Sequence, residues 1–265
     1  MISKRTIEKK ILLFTTLCLW LAAYGVFGQV NESPPAWTYG AEFDLNSRYV
    51  WRSLAWSEGA VWQPSVWVGI SGWTFSVWSN FVLHNEPNYH QFNEFDYRIS
   101  YKKEFGHLKV EPAFLIYSYP NKDRIENPAT AELELLASYD LGPLTLVTTH
   151  AFDVWDNRGG YIGEVGVEIE REPIASLTVI AAARLTFASA RFNGYYVPLE
   201  KTAVNAFVLE LGLTYDISNA VYIRPHVEWS QILDRDLKTA LKTSTYLSVG
   251  KASLFNIGIA IGLAY

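Results

Sequence analysis

Between residues 38 and 52 the chain alternates without interruption. Tyr39, Ala41, Phe43, Leu45, Ser47, Tyr49 and Trp51 carry no charge, while Glu42, Asp44, Asn46, Arg48 and Arg52 fall between them. A repeat of two is that of an extended strand, whose successive side chains point to opposite faces. The same repeat returns in Phe95, Tyr97, Ile99 and Tyr101 against Glu94, Asp96, Arg98 and Lys102, and in Ala131 to Tyr139 against Glu132 and Glu134. Val165, Val167 and Ile169 oppose Glu164 and Glu168, Leu177 to Phe187 oppose Thr178, Arg184 and Thr186, and Leu209 to Tyr215 oppose Glu210 and Thr214. Val221 to Trp229 then oppose Arg224, His226 and Glu228, and Phe255, Ile257, Ile259, Ile261, Leu263 and Tyr265 alternate with small residues to the end of the chain.

With weaker segments at 61–71, 73–83, 107–117 and 143–152, this pattern predicts twelve strands. The links between them alternate in length: 71–72, 103–106, 140–143, 171–175 and 216–219 are short, whereas 53–60, 84–93, 118–130, 153–160, 188–202 and 231–243 are long. An all-β transmembrane antiparallel β-barrel has this rhythm, with short periplasmic turns, longer extracellular loops and both termini on the periplasmic side. The uncharged face agrees, because one basic residue at mid-bilayer costs about 2–4 kcal/mol. A soluble sandwich or barrel explains the alternation but gives no reason for the alternating links.

Rings at the strand ends suit two interfacial girdles, Trp51, Trp62 and Trp229 on one rim and Tyr101, Phe105, Tyr139, Tyr215 and Tyr265 on the other. Facing is ambiguous only at 143–152, where Leu144, Leu146 and His150 share parity.

Lys4, Arg5, Lys9 and Lys10 precede an apolar run over residues 11–27, the form of a cleaved export signal. The expected organisation is a signal peptide at 1–28, a short periplasmic segment at 29–37 and the barrel at 38–265. Without residues 1–28, 18 basic residues face 26 acidic ones, a charge of −8 that argues against nucleic acid as a partner. The single cysteine, Cys18, lies inside the expected signal, so no disulfide, cysteine-zinc site or other cofactor is expected.

Asn46-Ser47-Arg48-Tyr49-Val50-Trp51-Arg52 with Ser57 and Gln63, Trp78-Ser79-Asn80, Glu94, Asp96, Tyr101, Glu104-Phe105-Gly106, Tyr117-Ser118-Tyr119-Pro120 and Ala131-Glu132 together resemble the TorF-like porin family of Gram-negative outer membranes. The resemblance covers about residues 40 to 140, with Ser53 where that family has glycine. It implies a channel in the outer membrane and names no solute. Tyr265, closing an alternating apolar segment, is similar to the C-terminal signal through which such barrels meet the assembly machinery.

The charged face defines the expected pore lining: Glu42, Asp44, Arg48, Arg52, Glu94, Asp96, Arg98, Glu132, Glu134, Glu164, Glu168, Arg184, Glu210, Arg224 and Glu228. Such a set is tolerated where the charges pair across strands and lumen water solvates them. The expected activity is passive diffusion of small polar or charged solutes, with a mild cation preference from the excess of acids. Arg48 and Arg52, toward the outer end of the first strand, could orient an anionic group. The alternatives are a plugged barrel acting through its outer loops as a structural, ligand-binding or adhesin-type protein, and an outer-membrane lipid hydrolase. The hydrolase has little support, since His226 and Ser230 point inward and His150 near Asp153 lacks a His-x-Ser pairing. The expected partners are outer-membrane lipid, lipopolysaccharide and the solute itself.

Overall fold

The computed structural model describes residues 37–83, 91–120, 129–243 and 250–265. The expected signal peptide and residues 29–36 lie outside these. Trp37 begins the first strand.

Twelve long strands form the fold: β1 (Trp37–Asn46), β2 (Val61–Ile70), β3 (Trp73–Val82), β4 (Phe92–Tyr101), β5 (Leu108–Ser118), β6 (Thr130–Asp140), β7 (Thr145–Asp153), β8 (Tyr161–Ile174), β9 (Leu177–Ala188), β10 (Ala203–Asp216), β11 (Val221–Ile232) and β12 (Ser253–Ala264). Lys103–Phe105 continues β4 beyond Lys102 and pairs with β5. Every strand is antiparallel to its sequence neighbours, and β12 pairs with β1, so one sheet closes on itself as a twelve-stranded barrel. Closure removes the free edges that an open sheet would expose.

One parity of each strand is apolar and turned outward. Phe43, Val66, Ile99, Val167, Leu211 and Ile257 are all exposed, Ile257 by 53%. Ring contacts gird both ends: Trp62 packs on Phe43 and Phe81 at the long-connection end, and Tyr39 stacks on Tyr265 at the short-turn end. Tyr39 and Tyr265 also exchange backbone hydrogen bonds of 3.0 and 2.9 Å, joining the first strand to the last residue. Register resolves the ambiguous strand: His150 lies opposite Leu135 and Gly163, so Leu146, His150 and Phe152 share the outer face of β7.

The structure corrects the expectation that the first strand runs to Arg52. β1 stops at Asn46, and residues 47–60 fold toward the barrel axis, where Val50–Trp51 and Leu54–Ala55 pair as a short hairpin. Arg52 and Ser53, at φ 52° and 62°, both take the left-handed conformation that reverses the chain. Tyr49 and Trp51 therefore leave the outer face. Tyr49 is buried beside Trp78, and Trp51 packs among Trp56, Tyr117, Phe192 and Tyr196. Burial of whole rings against one another outweighs their continuation of the outward parity.

Among the described residues, two long connections carry helices. α1 (Ala190–Tyr196) starts at Ser189, whose hydroxyl accepts from the Phe192 N–H, and α2 (Arg235–Leu241) starts at Asp234, which accepts from the Asp236 and Leu237 N–H groups. Phe192, Tyr196, Leu237 and Leu241 join Leu54, Ala151, Ile162, Ala188, Ala206 and Ile232 in one apolar cluster at the long-connection end.

Candidate functional site: a charged interior beneath an aromatic plug

The residue 47–60 segment, α1 and α2 form an aromatic plug at the long-connection end, and an ion pair ties its hairpin to β6. Arg52 donates from Nη1 to Glu132 Oε1 at 2.7 Å and from Nη2 to the other carboxylate oxygen, a fork on a carboxylate that is 2% exposed. The Tyr117 hydroxyl donates to the same carboxylate at 2.9 Å. The Arg52 guanidinium also lies 4.2 Å from the Trp51 ring centre and 5.7 Å from that of Phe192. Arg52 is thus engaged within the protein and is not directed at an anionic solute.

Beside the plug, a ladder of amides crosses five strands of the inner face. Asn256 on β12 donates to Asn46 on β1 at 2.8 Å, Asn46 to Gln63 on β2 at 3.0 Å, Gln63 to Asn80 on β3 at 3.0 Å, and Asn80 to Asn93 on β4 at 2.8 Å. Asn80 is wholly buried. Ser47 Oγ and the Arg48 N–H both donate to Asn256, so the ladder also anchors the chain where it leaves β1. A second amide pair, Asn193 with Asn205, ties α1 to β10 through reciprocal bonds of 3.1 and 2.7 Å.

The remaining charged residues fall into groups set by register. Glu42 accepts from Tyr222 and Arg224, each at 2.6 Å, and Asp44 meets His226 at 3.0 Å. Both contacts pass over β12, whose Gly258 and Gly262 leave room for the His226 and Tyr222 rings. Arg98 bridges Glu111 at 2.7 Å and Glu134 at 3.5 Å. Arg184 on β9 meets Glu164 at 3.3 Å and Glu168 at 3.4 Å on β8, and Glu210 on β10. Glu228 on β11 stands in register with Glu210. Glu94 lines a small cavity of about 30 Å³ with Tyr49, Trp51, Trp56, Asn93 and Tyr119. Asp96 has one buried carboxylate oxygen, and Arg48 a buried Nε, with no partner among the described residues.

A cavity of about 740 Å³ opens at the short-turn end, where Asp140, Gly142 and Pro143 edge it. Its wall includes Lys102, Lys109, Glu111, Glu164, Glu168, Arg184 and Glu210. A second cavity of about 140 Å³, lined by Arg52, Glu134, Thr149, Ala151, Ile162 and Glu164, shares Thr149 and Glu164 with the first and reaches the plug. The interior is therefore a charged cavity at one end that runs up to rings at the other.

Of the residues expected to act together, the structure joins Arg52 with Glu132, Arg98 with Glu134, Arg184 with Glu164, Glu168 and Glu210, and Arg224 with Glu42. Sequence reasoning missed the amide ladder and the two plugging helices. The available signs were asparagines on the charged parity and, within the long link at 188–202, Ser189 ahead of Phe192 and Tyr196 at helical spacing.

The sequence matches no family profile and no curated protein. Solved structures similar to the chain include the KdgM porin in complex with disordered oligogalacturonate (11% identity, TM-score 0.48, 86% of this chain and 98% of that one). The NanC porin is similar at 15% identity and TM-score 0.47, over 87% of this chain and 99% of that one. The translocator domain of the autotransporter NalP from Neisseria meningitidis is similar at 11% identity and TM-score 0.47, over 97% of each chain.

Proposed function

We propose that the protein is an outer-membrane, porin-like channel for small polar solutes, narrowed at its long-connection end by the aromatic plug. The observation that carries this reading is the 740 Å³ charged cavity enclosed by a barrel whose outer surface is apolar. Lipid accounts for the apolar exterior, and water or solute for the charged interior. The resemblance of residues 40 to 140 to the TorF-like porins supports the same reading. The acids gathered around Arg184 favour cations over anions in the cavity.

The plug supports a second reading, a barrel that does not conduct and works through its outer connections. Planar-bilayer recording of the refolded protein beside an Arg52→Ala variant separates the two. The channel reading expects brief or small openings in the native protein and larger, longer ones in the variant. Silence from both, with folded barrels in the membrane, rejects it.

A further inference from the structure

We propose that the Glu132 pocket is a binding site for a small guanidinium-bearing solute, and that Arg52 is its built-in occupant. The pocket has every part such a ligand needs. The Glu132 carboxylate presents both oxygens to the fork of one guanidinium, and the Tyr117 hydroxyl fixes that carboxylate at 2.9 Å. Trp51 and Phe192 supply ring faces at 4.2 and 5.7 Å from the guanidinium carbon. Bidentate acceptance by a buried carboxylate together with ring stacking selects a planar cation over a compact ammonium.

The way the occupant is delivered argues that it can be displaced. Arg52 and Ser53 are both in the left-handed region, which residues with side chains resist, so the hairpin holds Arg52 in place against its own backbone preference. A free ligand of the same chemistry carries no such burden. Space lies alongside: the 140 Å³ cavity touches Arg52 and is lined by Glu134 and Glu164, and the larger cavity shares Glu164 with it. A cation entering from the short-turn end passes Glu111, Glu168, Glu210 and Glu164, interspersed with Lys102, Lys109 and Arg184, before it reaches Glu134 beside Arg52. Displacing Arg52 would remove the ion pair that tethers the hairpin to β6. That this displacement opens the barrel rests on the channel reading, whereas the binding itself does not.

The test is calorimetric titration of the refolded, full-length barrel in detergent with methylguanidinium chloride, at constant ionic strength, using methylammonium chloride as the control cation. Arg52→Ala vacates the pocket and is expected to bind methylguanidinium saturably, at least about tenfold more tightly than methylammonium and than the native protein does. Adding Glu132→Gln is expected to abolish the binding. No saturation in Arg52→Ala, equal binding of the two cations, or indifference to Glu132→Gln overturns the proposal. If Arg52→Ala does not refold, Arg52→Gln removes the charge while keeping side-chain bulk, and the same titration decides with the same outcomes. Bilayer recording of the native protein with methylguanidinium separates the two readings. More frequent opening supports displacement of the plug, while binding to a silent barrel upholds the site and rejects the channel.

Discussion

The Tyr222 hydroxyl on β11 donates to the Glu42 carboxylate on β1 at 2.6 Å, although β12 lies between the two strands. Glu42, Gly262 and Tyr222 stand in one register row, and the missing side chain of Gly262 is what lets the outer two meet. Arg224 adds a second bond to Glu42 at 2.6 Å, so the seam where the first and last strands close the barrel is spanned by charge-assisted bonds. Gly262→Val drives a branched side chain into the Tyr222 ring. It is expected to cost about 1–3 kcal/mol and to lower the temperature at which the folded band on a gel converts to the unfolded one. An unchanged transition would show that the seam tolerates the bulk.

Arg52→Ala leaves the Glu132 carboxylate buried without its cation. Breaking a buried pair from one side costs about 3–5 kcal/mol, and here the loss concentrates in residues 47–60. Tryptophan emission is expected to shift to the red as Trp51 and Trp56 loosen from their ring neighbours and to return when methylguanidinium refills the pocket, while the strand signal in far-UV circular dichroism stays constant. Equal emission in variant and native protein would show that the rings hold the plug without the ion pair.

Asn80 occupies the middle of the amide ladder, accepting from Gln63 and donating to Asn93. Asn80→Leu strands both neighbours, and an unsatisfied buried polar group costs about 1–3 kcal/mol. Urea unfolding in detergent is expected to move to lower denaturant by that amount. Asn256→Leu is expected to do the same and also to loosen Ser47 and Arg48, because both donate to its carbonyl oxygen.

Acid should release α2. The hydrogen bond from Lys201, followed by that from the Leu237 N–H, holds the Asp234 carboxylate below its usual range. A lowered folded value means the stabilisation is complete above the unfolded value of about 3.9 and is lost as the pH falls through the lowered folded one. The Leu237 amide resonance, followed from pH 6 to pH 2, is expected to move only below about pH 4. Asp234→Ala is expected to remove that transition and to cost about 1 kcal/mol.

Arg184 is set among Glu164, Glu168 and Glu210 at the cavity wall. Arg184→Gln leaves those carboxylates unneutralised, and in a salt gradient the reversal potential is expected to move toward the cation limit. Glu210→Gln is expected to move it the opposite way. A reversal potential that ignores both variants places this group off the ion path.

The barrel was legible because its signal is local and repeated. Phe255, Ile257, Ile259, Ile261 and Leu263 announce one face by parity alone, and the alternation of short and long links then orders the strands. Parity also separated Glu164, Arg184 and Glu210 from the outward residues. It failed at Tyr49 and Trp51, which keep the alternation yet turn inward, because a repeat of two describes where side chains point only while the chain remains extended. Nothing in the pattern marks Asn46 as the last residue of β1. That limit depends on Gln63 and Asn256, 17 and 210 residues away.

The sequence by itself therefore determined the strand number, the apolar exterior and the charged interior, since each follows from the two-residue repeat and the cost of a charge in lipid. Only the tertiary structure decided which charges meet, that Arg52 serves Glu132, and that α1, α2 and the residue 47–60 segment fill one end. Those contacts join residues far apart along the chain, and strand register, together with the volume left inside the closed barrel, selects them.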